Sequence, residues 1–163
     1  MTLSSPADLL TGYLDYYRET LLRKLDGLSE HELRHSGLPS GWVPLALLKH
    51  LAYVERRWIR WGFAGEQIDE PWGDHLPERG QWRLDPDETL AGLTAFLHEQ
   101  GAHTREVVAG APLAAESAVG GRFGPDEERP TLIWILFHLL QEYARHVGQL
   151  DVARELADGA IGE

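Results

Sequence analysis

Glu142 and His146 stand four residues apart in a stretch of helical periodicity, so their side chains lie one above the other and can reach a single ion. His50 belongs to a second helical stripe, because Val43, Leu47, His50, Val54 and Trp58 follow steps of four, three, four and four, which aims an imidazole at a core. Ile135, His138, Leu139, Glu142, His146 and Leu150 share one inward face in the same way, and Glu142 stands there in place of an apolar residue. An ionised carboxylate in an apolar interior needs a cation, a proton or a hydrogen-bond donor to offset its lost hydration. Two imidazoles and a carboxylate from two facing helices suit a divalent metal ion, zinc first and nickel, iron or manganese as alternatives. Three protein ligands would leave a coordination position open for water or substrate. The same residues admit a second reading, in which His50 is a hydrogen-bonded core histidine and Glu142 pairs with Arg145 or another arginine. His138, one turn before Glu142, is a rival ligand or a group that supports one, and Arg145 is either a substrate-orienting cation or a plain salt-bridge partner. His31, His35, His75, His98 and His103 fall in a capping segment, in loops or outside the apolar stripes and receive no role. The six tryptophans read as packing, and the acidic residues mostly as solvated faces.

Four periodic segments are available to position these groups. The first runs from about Pro6 to Asp26 with Gly27 as its stop, and Ser29 and Glu32 then form a capping box for a short helical turn. The second spans Val43 to about Gly62, with Pro44 in its first turn, where a missing N–H costs nothing. Residues 62–84 carry Gly65, Pro71, Gly73, Pro77 and Gly80 and form a long connection expected to cover one end of the fold. The third helix is expected to open at Asp85-Pro86-Asp87-Glu88 and to turn Leu90, Leu93, Leu97 and Val108 inward. Residues 110–129 make a second irregular connection, and Pro130 opens a last helix over Thr131–Leu156. No segment alternates apolar and polar residues long enough to argue for a sheet. The expected fold is all-α: an antiparallel four-helix bundle with long connections between helices 2 and 3 and between 3 and 4, in a single domain over residues 1–163.

Composition narrows the function classes. With 26 acidic against 15 basic residues the net charge is −11, which repels nucleic acid. The chain has no cysteine, so disulfides, thiolate-based metal sites and a cysteine nucleophile are excluded, and any thiol chemistry must use an external thiol. The first residues lack the pattern of a signal peptide and no run approaches about 18 apolar residues, so no membrane partner and a cytoplasmic location are expected.

The segments SGWVPLALLKHLAYVERRW, around His50, and HLLQEYARHVGQLDVARE, around Glu142 and His146, resemble the DinB-like superfamily of metal-binding four-helix bundles. Within it they are similar to the mycothiol-dependent maleylpyruvate isomerase-like domains. The positions that carry the resemblance are Leu47, Leu48, His50 and Leu51, then Glu142, His146, Gly148 and Asp151. Other branches of the superfamily have a histidine where Glu142 stands, whereas the isomerase-like branch has glutamate. The resemblance implies His50, Glu142 and His146 as the metal ligands and a low-molecular-weight thiol as cosubstrate, mycothiol in actinobacteria or bacillithiol in some other bacteria. The implied function is a metal-dependent thiol S-transferase acting on an electrophilic small molecule, or an isomerase working through such an adduct. Two other functions fit the same ligands: a non-catalytic, stress-related metal-binding module, and a hydrolase using metal-activated water. Similar bundles commonly form homodimers, and the aromatic surface here is compatible with one, although no stripe specifies an interface.

Overall fold

The computed structural model describes residues 5–76 and 81–161 and is helical, as expected. Its helices are α1 (Pro6–Leu25), α2 (Glu30–Arg34), α3 (Pro44–Arg56, continued by a π-helix over Arg57–Phe63), α4 (Leu90–Gly110) and α5 (Leu132–Asp158). Local chemistry sets several of the starts. Ser5 accepts from the Asp8 N–H, Ser29 and Glu32 form the expected reciprocal capping box, and Pro44 opens α3. α1 packs on α5 and α4, and α3 packs on α4 and α5, so each long helix has two neighbours. The interior is leucine-rich: Leu14, Leu21 and Leu25 of α1 meet Leu47, Leu48 and Leu51 of α3, Leu97 of α4, and Leu136, Leu139 and Leu150 of α5, all without solvent exposure. Each such side chain contributes about 1.5–3 kcal/mol by leaving water.

Three features depart from the sequence reading. The third helix does not open at Asp85-Pro86-Asp87-Glu88. It starts at Leu90, capped by the Thr89 hydroxyl on the Gly92 N–H. Asp85 and Glu88 are drawn into a turn because the Glu88 carboxylate accepts from the Asp85 N–H and both acids receive the Nζ of Lys49, a buried cation that needs them. The connection after α3 also contains a two-stranded antiparallel ribbon, β1 (His75–Leu76) with β2 (Gln81–Trp82), where no strand was expected. Two residues per strand are too few to produce a readable alternation. Pro77 and Gly80, expected as breakers here, lie outside the described residues. Finally, the second long helix ends in seven residues of π-helix, a rare geometry that is frequent at functional sites.

The acidic residues are not all solvated. Glu55 of α3 is fully buried and accepts hydrogen bonds from Arg18 of α1 (Nε, 3.1 Å), Thr104 of α4 and Tyr143 of α5 (2.7 Å). One polar group from each long helix therefore meets at a single point. Burial alone would lower the Arg18 pKa, but Glu55 at contact distance raises it beyond the ordinary arginine value. Burial, then the charge of Glu55, pushes the Tyr143 phenol well above its usual range, so it stays a donor.

Candidate metal centre

α3 contributes His50 and α5 contributes Glu142 and His146, and each offers one donor atom such that all three atoms lie within 4.8 Å of one another. The Nε2 of His146 is 3.2 Å from Glu142 Oε2, and the Nε2 of His50 is 3.8 Å from the same oxygen. The far sides of both rings are engaged. The Nδ1–H of His50 donates to Asp74 Oδ2 at 2.8 Å, and the Nδ1–H of His146 donates to Gln149 Oε1 at 2.9 Å. Each Nε2 then points inward, toward a carboxylate oxygen. The gap between them must hold either a proton on each ring nitrogen or one shared cation, and two imidazoles with one carboxylate are a donor set that a divalent metal ion satisfies. A partner on the second ring nitrogen is also the usual way a metal-binding histidine is oriented. The residues present therefore fit a metal ion.

The electrostatics point the same way. His146, 3.2 Å away, and then His50 hold the Glu142 carboxyl far below the ordinary range despite partial burial, so it is an anion at any working pH. Burial would raise the Asp74 carboxyl, but hydrogen bonds from His50 and Arg57 outweigh it and leave it lowered. Asp74 is only 1% exposed and joins His50 to Arg57, the first residue of the π-helix.

Asp74 and Trp82 were not legible as site residues. Both come from the connection after α3, which does more than cover an end of the fold. Trp82 stacks on the His50 ring, centroids 4.6 Å apart, and meets His146 edge-on at 5.1 Å. The reading of the tryptophans as packing alone is thus corrected for this one. Gly73 lets the chain pass: a Cβ there would lie 2.6 Å from the Tyr53 hydroxyl, so a larger residue would force either the Tyr53 ring or the chain beside Asp74 to shift.

His138 sits beside the three donors without joining them. Its Nε2 is 3.7 Å from Glu142 Oε1, outside hydrogen-bond range, and its ring is stacked on Trp134 and leans against Trp58. Burial lowers its pKa, the Glu142 charge opposes that shift, and the positive charge of Arg122 adds to it. Arg145 is exposed and pairs with none of these groups, so the alternative in which it neutralises Glu142 does not hold. No helix among the described residues is long and apolar enough to cross a membrane.

No curated protein matches the chain. A family model described as Mycothiol-S-transferase matches residues 9–159, a span that includes every residue of the His50–Glu142–His146 cluster, and the chain belongs to that family.

Proposed function

We propose that this protein is a metal-dependent thiol S-transferase, built as an antiparallel four-helix bundle, that joins mycothiol to an electrophilic small molecule. The observation that carries the reading is the convergence of His50, Glu142 and His146 without a fourth protein donor among the described residues. A site meant only to brace the fold would be closed by a further ligand, and His138, the first candidate, is not among the converging donors.

His50, Glu142 and His146 would hold the ion, with zinc the first expectation from the donor set. When bound, a divalent ion lowers the pKa of a thiol that reaches it and so supplies thiolate near neutral pH, which a chain without cysteine cannot do alone. Asp74 and Gln149 fix the tautomer of each histidine by accepting from Nδ1–H. Trp82 covers the outer face of His50 and excludes water from that side. In the transfer one S–C bond forms at the electrophilic carbon. The thiol proton ends on the substrate in an addition, or is released with the leaving group in a displacement.

The test is a titration of the cobalt-substituted protein with mycothiol, followed by visible spectroscopy. A thiolate charge-transfer band is expected. A bound ion whose spectrum ignores the thiol would contradict the transferase and favour a non-catalytic metal module, and turnover of esters or amides without thiol would favour a hydrolase.

A further inference from the structure

His50 stands on α3 while Glu142 and His146 stand on α5, so the three donors converge only when these two helices hold one register. Within α5 the spacing of four residues fixes Glu142 against His146. The 3.8 Å between His50 Nε2 and Glu142 Oε2 is fixed by nothing local and follows how α3 sits on α5. A metal ion accepts ligand distances within about 0.2 Å of their usual values, whereas apolar packing between helices is non-directional and sets no such distance by itself.

Among the described residues one side-chain hydrogen bond runs directly between the two helices, from the Tyr143 hydroxyl to Glu55 Oε2 at 2.7 Å. Both of its ends are tied to metal donors. Tyr143 follows Glu142 in α5, and Glu55 lies five residues after His50 in α3. A displacement of either partner along its helix axis therefore carries a donor of the cluster with it. Tyr143 and Glu55 are both without solvent exposure, so no water competes for the bond.

The acceptor is held still from other sides. Arg18 of α1 reaches both oxygens of Glu55, Nε to Oε2 at 3.1 Å and Nη2 to Oε1, and Thr104 of α4 donates to Oε1. Arg18 is itself tethered by Asp15 at 2.6 Å. A Cβ at Gly101 would lie 2.9 Å from Arg18 Nε, so the glycine of α4 leaves the room that the guanidinium occupies. With α1 and α4 fixing the carboxylate on α3, Tyr143 is the donor that passes its position on to α5.

We propose that Tyr143 is a positioning residue of the metal centre: its hydrogen bond to Glu55 sets the register in which α5 brings Glu142 and His146 to His50. Thr104 spends its hydroxyl on the same carboxylate but belongs to α4, which supplies none of the three donors. The two hydroxyls are alike for the buried cluster and unlike for the metal. The inference rests on the reading of His50, Glu142 and His146 as metal ligands.

The experiment is a cobalt titration of wild type, Tyr143→Phe and Thr104→Val, reading the affinity and the d–d spectrum at saturation, with urea unfolding of the metal-free forms beside it. Each variant removes one hydroxyl from Glu55 and keeps the shape of the side chain, so both should lower the urea midpoint. Tyr143→Phe should bind cobalt about tenfold more weakly and show a shifted d–d spectrum even when saturated, whereas Thr104→Val should stay within about twofold and keep the wild-type spectrum. Loss of stability alone would not separate the two. Glu55→Asp keeps the charge for Arg18 and draws the acceptor back from Tyr143, so it should act as Tyr143→Phe does, and it decides if that variant does not fold. Wild-type affinity and spectrum in Tyr143→Phe or in Glu55→Asp, or an equal loss in Thr104→Val, would overturn the proposal and leave the ligand assignment standing. A wild type that takes up no cobalt would remove that assignment and the proposal with it.

Discussion

Glu55 and Glu142 are both carboxylates set among apolar helices, and they are answered in opposite ways. Glu55 is fully buried and takes a guanidinium and two hydroxyls from three other helices, so its charge and its hydrogen-bonding capacity are met from within the protein. Glu142 is faced by imidazoles whose other nitrogens are already engaged with Asp74 and Gln149, and its side chain stays 22% exposed. A polar cluster that closes on itself fixes how helices pack, whereas one left short of a cation and open to solvent can take a ligand. Completeness of compensation, more than burial, separates the structural cluster from the functional one.

The sharpest way to break this comparison is to remove each acid in turn. Glu55→Ala leaves the buried Arg18 with only the partly exposed Asp15 as a partner and should cost about 3 kcal/mol of stability in urea unfolding. Glu142→Ala should cost the metal-free protein less stability than Glu55→Ala does, because the Glu142 carboxylate is partly exposed, but should weaken metal binding at least about tenfold in a chelator competition assay. The two effects should not exchange places. If Glu142→Ala unfolded the metal-free protein, the contrast drawn here would be lost.

Asp74→Asn probes the support of the site and should lower metal affinity about tenfold, since His50 would lose the acceptor that orients it. The same variant carries a pH signature in the metal-free protein. Because the Asp74 carboxyl is lowered in the folded state, its contribution is fully present above the unfolded value of about 3.9 and lost as pH falls through the folded value. Wild type should therefore exceed Asp74→Asn in stability at neutral pH, with the gap closing only in acid. The smallest effect is expected at Arg145: its replacement by alanine should stay within about 0.5 kcal/mol in unfolding and leave metal affinity unchanged.

The helices and their inward faces were legible because a 3.6-residue period converts sequence position directly into direction. That is why His50, Glu142 and His146 could be assembled from spacing. The same logic reaches Glu55 and Arg18, which complete the stripes Leu48, Ala52, Glu55, Ile59 and Leu14, Arg18, Leu21, and a reading that sends acids to the solvated face passes over them. Asp74 and Trp82 sit on an irregular connection, where no period fixes direction and tertiary contacts such as the Gly73–Tyr53 approach decide. The start of α4 was misplaced for a related reason: Asp85-Pro86 and Thr89 are both good local openings, and the distant Lys49 claims the acids of the first.

The central claim is that His50, Glu142 and His146 hold one divalent ion, and its most direct test is the metal content, by elemental analysis, of purified tag-free wild type beside His146→Ala. The account predicts one ion per chain in the wild type and close to none in the variant. A metal-free wild type, or a variant that keeps the wild-type stoichiometry, would contradict it.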